Sequence, residues 1–500
     1  MNISRNEYEY ARIVAAQSGK PLDKVVEEMV RARDVHGVPF RDYQRIELHK
    51  YTEKTVISNG ERLTKAYEAE NRHYEEIGKE MGWTRAQIRA NMAALNDNPY
   101  AKVDIVQYHE LGLYKMDPRS LETILRDLRD RVALLKQLSA DLKKIDRGEK
   151  AYEDIGPALT TYYRVTRNTV LASDIEEFRE MIEKAAPELF EDEEQLRTVV
   201  ADMLVCKRLM GFWDFEYFMF NFREKSIQER RTFVSNNYRT LKLNKVNDRL
   251  KNELFDNKAS TYEAFQKYYG REVIIVNGRE DLPRFKQYCK KYERFVKKPI
   301  NGAMGSGIGI VKTGRSTDLE RLFTELLDDL GPFVCEEVIQ AHPAIKKLNP
   351  DSVNTVRLCT YFDGSKVHMK WPFMKIGRAG SFVDNGGAGG ILVAIDEKSG
   401  KFVSDGIDEA CSKYTIHPDN GVSFRGYQLP NWADVAKLGE RIALTAYEKI
   451  PEVRFIGWDI TCDANGNWVV VEGNALTQFI GQQAPLEKGV RAELDAMIPD

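Results

Sequence analysis

Trp458-Asp459-Ile460-Thr461-Cys462, then Asp463-Ala464-Asn465-Gly466, then Asn467-Trp468-Val469-Val470-Val471-Glu472-Gly473-Asn474 reads as a β-hairpin. Asn-Gly between two apolar, β-branched runs is the strongest short-range signal for one. A two-residue turn at Asn465-Gly466 sets Asp459 opposite Glu472 on one face of the ribbon, with Cβ atoms roughly 5 Å apart. Asn474, two residues on, shares that face. Like charges directly opposite are destabilising, so a bound cation is the simplest reason to keep the pair. Two carboxylates and an amide make an all-oxygen set suited to Mg²⁺ held with substrate phosphates. The plainer alternative is two carboxylates on a solvated sheet face. Three stretches upstream weigh against it.

The first is Glu293-Arg294-Phe295-Val296-Lys297-Lys298-Pro299, a strand, followed by Asn301-Gly302-Ala303-Met304-Gly305-Ser306-Gly307-Ile308-Gly309-Ile310. Glycines at 302, 305, 307 and 309 let backbone N–H groups turn toward an anion without Cβ clashes. No Lys-Ser/Thr follows them, and the next residues look like a strand. This is therefore neither a P-loop nor a dinucleotide turn but a flap between two strands. Strand alternation sends Lys297 and Lys298 to opposite faces, one toward phosphate and one toward solvent. The second stretch is Phe333-Val334-Cys335-Glu336-Glu337-Val338-Ile339-Gln340, an apolar strand ending in an acid pair. A carboxylate there can accept the exocyclic amine of adenine while the following backbone reads the ring edge. The third is Phe255-Asp256-Asn257-Lys258-Ala259-Ser260, a helix start, with the strand Arg271-Glu272-Val273-Ile274-Ile275-Val276 after it.

In this order the elements resemble the ATP-grasp superfamily over roughly residues 245 to 485. Ser352-Val353-Asn354-Thr355-Val356-Arg357, Phe382-Val383-Asp384-Asn385 with Gly386-Gly387-Ala388-Gly389-Gly390-Ile391, and Ile456-Gly457-Trp458-Asp459 are similar to the branch called sugar-transfer associated ATP-grasp, also described as alpha-L-glutamate ligase-related. The resemblance implies an α+β, C-terminal ATP-grasp fold, two α+β subdomains clamping ATP, preceded by a mostly α-helical region. It implies that Lys258 and Lys298 contact the nucleotide phosphates and that Gly302, Gly305, Gly307 and Gly309 form the flap. Glu336 would accept the adenine amine, Ile339 would read the ring through its backbone, and His342 would lie near the ribose. Asp459, Glu472 and Asn474 would hold two Mg²⁺ ions, with Glu472 bridging them. Arg357 would steady the γ-phosphate or an acyl-phosphate; Arg378 and Lys375 are weaker candidates for that task.

The implied chemistry is attack of a carboxylate on ATP to give an acyl-phosphate, which an amine then converts to an amide. Metals and cationic side chains serve that transfer by positioning and electrostatics. A closing flap keeps water from the reactive intermediate. The sequence shows no Ser/His/Asp constellation, no zinc-ligand spacing and no His-Glu-x-x-His. The expected activity is an ATP- and Mg²⁺-dependent carboxylate–amine ligase, near cell-surface glycan or secondary-metabolite biosynthesis by family analogy. Its substrates would be a small-molecule, glycan or peptide carboxylate and an amine. Rival readings are an ATP-grasp phosphotransferase that forms no amide and a nucleotide-binding scaffold.

The chain has 500 residues, a formal net charge of −3 and 30% charged residues. That length suggests about three domains, and the balance carries no basic field that would argue for nucleic acid. Six scattered cysteines without CxxC point to a reducing compartment. There is no apolar signal core and no apolar run near ~18 residues, so a cytoplasmic protein is expected.

Residues 1–150 read as a helical region, 151–240 as a helical lead-in and 241–500 as the catalytic domain. Leu121 to Ile145 has helical apolar spacing. A weak repeat runs through the first half. Val25-Val26-Glu27-Glu28-Met29 recurs as Val199-Val200-Ala201-Asp202-Met203. At the same offset Gly37 matches Gly211 and Tyr43 matches Tyr217. Segments opening at Tyr43, Tyr108 and Tyr217 share apolar spacing, as a helix-loop module used three times would. The expected role of the first two copies is to shape or dock the acceptor. Ser316 is the expected cap of a helix, and the Asp384–Gly390 stretch faces a substrate or, failing that, a close backbone neighbour.

Overall fold

The computed structural model describes residues 3–36, 38–45, 49, 70–166, 172–248, 251–301 and 307–499. The chain divides into two compact units, Met1–Gln137 with Thr161–Ile175 and Leu138–Thr160 with Glu176–Asp500. Residues 176–240 of the expected lead-in share the second unit with the C-terminal residues, which complete its polar groups. Asn221 donates to Glu487 at 3.2 Å, Val234 N–H to the Gln483 amide oxygen at 2.8 Å and Lys242 to the Ile498 carbonyl at 3.0 Å. Asn247 is buried and donates to the Phe455 and Ala475 carbonyls, both at 2.7 Å.

The first unit is helical among its described residues. Val25, Met29, Phe40 and Tyr43 belong to one of its cores and Ile77, Ile88, Tyr108 and Leu113 to another. The helix read from Leu121 to Ile145 spans Pro118–Asp146. Two copies of the repeat share a backbone. The helix Ile105–Glu110 leads through Gly112 at φ +60° to a 3₁₀ turn at Leu113–Lys115. The helix Asp214–Met219 leads through Asn221 at φ +54° to one at Phe222–Glu224. Glycine and asparagine are the residues that tolerate this left-handed position. Tyr43 of the first copy lies in the helix Phe40–Arg45, but Gly37 and residues 46–48 fall outside the described residues.

The second unit carries two antiparallel sheets. β1 (Val273–Val276), β2 (Arg294–Pro299), β3 (Gly309–Lys312) and β4 (Phe333–Glu337) form the smaller, in the order β1-β4-β2-β3. Helices Leu282–Lys291 and Leu319–Leu330 cover it through Phe285, Phe323 and Leu326, which meet Phe295 and Phe333. Asp318, not Ser316, caps the second helix: its carboxylate accepts from Glu320 and Arg321 N–H, both at 3.1 Å. The larger sheet contains β5 (Thr355–Phe362), β6 (Val367–Ile376), β7 (Ile391–Ala394), β8 (Gly406–Ile407), β9 (Lys413–Tyr414), β10 (Phe455–Cys462) and β11 (Trp468–Asn474). Its order is β11-β10-β5-β6-β7-β8-β9. The helix Ala433–Lys449 packs Val435, Leu438 and Ile442 into a core shared with Leu358, Met374 and Trp458.

The β10–β11 hairpin pairs Asp459 with Glu472, as read, but by another route. The turn is a three-residue one. Gly466 N–H donates to the Asp463 carbonyl at 3.0 Å, and Gly466 sits at φ +84°. That connection pairs Cys462 with Trp468 and Ile460 with Val470, one register step from a two-residue turn. A bulge between Asp459 and Ile460 restores the step and returns Asp459 opposite Glu472 and Gly457 opposite Asn474.

Candidate active site

β5 lies beside β10, so Arg357 is the cross-strand neighbour of Asp459. Its guanidinium grips the Asp459 carboxylate at 2.6 and 3.0 Å and donates to the Thr477 hydroxyl at 2.9 Å. Gly457 makes room for this approach: a Cβ there would sit 2.4 Å from the Thr477 hydroxyl oxygen and 3.2 Å from Arg357 Cδ. Lys375, from β6, places Nζ 3.0 Å from Asp459 and 3.4 Å from Asp384. Asp384 also accepts from Thr355, at 2.8 Å from N–H and 2.6 Å from the hydroxyl. Lys375, Asp384 and Asp459 are buried. Burial alone would raise the Asp459 carboxyl, but Arg357 and Lys375 outweigh it and hold it at about 2. Burial alone would likewise lower the Lys375 ammonium, yet Asp384 and Asp459 raise it. Asp459 is thus an anion held between two cations.

A second buried pair-up lies on the smaller sheet. Lys298 Nζ is 2.8 Å from Glu336 Oε1, and Arg271 grips Oε2 at 2.9 and 2.7 Å. Against burial, Arg271 and Lys298 hold the Glu336 carboxyl down at about 2. Both Glu336 oxygens, expected at the adenine amine, are therefore committed to cations. Lys297 points the other way, toward exposed Asp329 at 3.3 Å, as strand alternation requires.

Lys258 opens the helix Lys258–Phe265, capped by Asn257, whose side chain accepts from Ser260 N–H at 3.0 Å. Its backbone N–H donates to the Ile300 carbonyl at 2.9 Å, just past the end of β2. Burial lowers the Lys258 ammonium; Glu472 and Glu336 oppose that and Lys298 adds to it. Those three groups thus lie within electrostatic reach of Lys258. Gly309 pairs with Lys297 across β2 and β3, and Gly307 sits at φ +72°. Gly302 and Gly305 lie outside the described residues.

The segment after β4 runs along the hairpin turn: His342 N–H donates to Cys462 at 2.8 Å and Ala464 N–H to Gln340 at 2.6 Å. Ile339 lies half-buried in this stretch. His342, expected near the ribose, has a local structural task in this fold. It caps the helix Pro343–Leu348, its Nδ1 accepting from Ala344 N–H at 3.1 Å.

Arg378 does not join the Asp459 cluster. It grips Asp419 at 2.8 and 2.9 Å instead, so Lys375, ranked beside it from sequence, is the residue brought to Arg357. Gly390 meets a close backbone neighbour: a Cβ there would stand 2.3 Å from the Asp384 carbonyl oxygen. Arg271, Asp384 and Thr477 were missed. Asp384 stands in a motif of the family resemblance that assigns it no role, and nothing in the local sequence around Arg271 or Thr477 marks a buried partner.

Asp459, Glu472 and Asn474 fit a Mg²⁺ ion chemically. All three present oxygen, and the Asn474 amide has Nδ2 buried without a hydrogen-bond partner. A half-turn of the amide puts its oxygen in that unpartnered place. All six cysteines are free thiols. Among the described residues no helix is long and apolar enough to cross a membrane.

The family profile described as sugar-transfer associated ATP-grasp matches residues 238–498. No curated protein matches the chain. Three solved structures are similar. D-alanyl-alanine synthetase A from Vibrio cholerae O1 biovar eltor has 12% identity and a TM-score of 0.32, over 49% of this chain and 63% of its own. ATP-grasp ligase PsnB, complexed with a minimal precursor, has 15% and 0.27, over 49% and 60%. D-alanine–D-alanine ligase from Bacillus anthracis has 17% and 0.28, over 49% and 66%. The chain spans less than two thirds of the length of each.

Proposed function

Because the chain belongs to the sugar-transfer associated ATP-grasp family, we propose that it is an ATP-dependent carboxylate–amine ligase working through an acyl-phosphate. The observation that carries this reading is the charge-balanced quartet of Arg357, Lys375, Asp384 and Asp459, set one strand from Glu472. Two fixed cations beside an acidic pair suit a site where phosphoryl charge develops and must be met without reorganisation.

In this reading Lys258 and Lys298 hold the nucleotide phosphates beneath the glycine flap, Gly302 to Gly309. Glu336 fixes the Lys298 ammonium through Oε1, whose second lone pair is the one left to accept the adenine amine, while the backbone at Ile339 reads the ring edge. Asp459, Glu472 and Asn474 would hold Mg²⁺, whose charge neutralises the transferring phosphoryl group. Arg357 and Lys375 orient the acceptor carboxylate and steady the phosphate formed on it. The flap excludes water until the amine attacks the carbonyl carbon, forming the C–N bond and expelling phosphate. A place near glycan or secondary-metabolite synthesis, a cytoplasmic site of action and acceptor docking by the N-terminal helices belong to the same proposal.

The test is Mg²⁺-dependent release of ADP and phosphate by wild type and Glu472→Ala across a panel of carboxylates and amines. Release that needs both substrates and is lost in the variant supports the ligase. A stable phosphorylated product with one acceptor alone replaces it with phosphotransfer. Tight ATP binding without turnover on any pair leaves either a substrate outside the panel or a nucleotide-binding scaffold.

A further inference from the structure

The N-terminal unit contains a cluster that nucleotide chemistry does not use. His73 and Glu76 stand one turn apart on the helix 70–81, hence on one face. His109 projects from the helix Ile105–Glu110. The two Nδ1 atoms are 2.9 Å apart, and His109 Nδ1 is 3.5 Å from Glu76 Oε2. Among the described residues this is the one group of three His, Cys, Asp or Glu side chains whose donor atoms all lie within 4.8 Å of one another.

Two imidazole lone pairs do not face each other at that distance unless a proton or a cation lies between them. A tetrahedral zinc ion with Zn–N near 2.05 Å sets its nitrogens about 3.3 Å apart. The His73–His109 gap is a few tenths of an ångström short of that, and the Glu76–His109 gap already matches. Both histidines are half-buried and ride on regular helices. Ile77, one residue past Glu76, and Tyr108, one before His109, are buried in the same core. The His109 ring stacks on Tyr114, at 6.1 Å and 14°, and Tyr114 donates to Glu80 at 2.5 Å. Such outer partners fix the orientation of a ligating ring.

We propose that His73, Glu76 and His109 bind one divalent transition-metal ion of the zinc class, with water completing the shell, and that this ion clamps the helix 70–81 to the helix Ile105–Glu110. Two imidazoles and one carboxylate select such an ion over Mg²⁺, which prefers oxygen throughout. The site is chemically separate from the all-oxygen set at Asp459, Glu472 and Asn474. Sequence spacing could not show it, because its two histidines are 36 residues apart.

The experiment uses the full chain stripped by a chelator and titrated with Co²⁺ or Zn²⁺ alone, without nucleotide. One equivalent should bind, with a Co²⁺ visible spectrum of nitrogen and oxygen ligation, no thiolate charge-transfer band, and no displacement by excess Mg²⁺. His109→Gln should weaken binding by more than about 100-fold, beyond the 10–100-fold typical of an outer partner. Glu472→Gln should leave it unchanged. Circular dichroism of metal-free His109→Gln, matched to metal-free wild type, separates a lost ligand from a lost fold; if the spectra differ, His73→Gln takes its place. No stoichiometric binding overturns the site in favour of a shared proton between the histidines. Binding that survives both histidine substitutions also overturns it.

Discussion

Replacing Lys375 by methionine tests the ion-pair quartet most directly. Lys375 reaches two buried carboxylates, at 3.0 and 3.4 Å. Removing one partner of a buried ion pair costs about 3–5 kcal/mol, because the remaining charge is stranded. Asp459 keeps both arms of Arg357, and Asp384 keeps two hydrogen bonds from Thr355. The loss should therefore fall at the low end, about 3 kcal/mol. Methionine retains the apolar stem, so little cavity adds to it. The assay is urea unfolding followed by tryptophan fluorescence, analysed for the C-terminal unit's transition, without and with saturating Mg²⁺ and ATP. Without them the variant should lie about 3 kcal/mol below wild type. With them the gap should narrow to within ~1 kcal/mol, because a cation at Asp459 restores the missing charge. Turnover should fall by roughly 10²–10³-fold, as for loss of one donor to a developing anion. A gap under ~1 kcal/mol without nucleotide would refute the stranded-charge reasoning. An undiminished gap with Mg²⁺ and ATP would refute the placement of a cation at Asp459.

Lys298→Ala should weaken ATP binding roughly 10–100-fold by calorimetry, the equivalent of one charge-assisted hydrogen bond of about 1.5–3 kcal/mol; unchanged affinity would remove Lys298 from the phosphate site. Glu336 is held at about 2 against an ordinary 4.5, so its contribution is complete above pH 4.5 and is lost as pH falls toward 2. A shift of 4.5 to about 2, at ~1.36 kcal/mol per unit, is roughly 3 kcal/mol. Stability measured from pH 6 down to 2 should fall less steeply in Glu336→Gln than in wild type, and parallel profiles would contradict the assignment. Gly390→Ala should displace the Asp384 backbone, costing about 1–3 kcal/mol as overpacking does. It should slow turnover with it, and an active variant of wild-type stability would show that Asp384 need not be held so closely.

Sequence alone determined the elements whose signals are local. An apolar, alternating strand with a glycine turn pairs with its neighbour wherever it sits, so the β10–β11 hairpin and strands β2 and β3 could be read directly. The family resemblance then ordered them into an α+β fold with a helical N-terminal region. Even the hairpin was right through compensation, since its turn is one residue longer and a bulge at Asp459 takes up the difference. Tertiary structure decided what depends on burial and on which strands become neighbours. Lys375 and Arg378 are three residues apart and carry the same charge, yet strand order puts one against Asp459 and the other against Asp419. Arg271 becomes a partner of Glu336 only because β1 pairs with β4. His73 meets His109 only when two helices pack. A charge in a sequence states what a side chain can do; the low dielectric and fixed neighbours of the folded interior select which of those things it does.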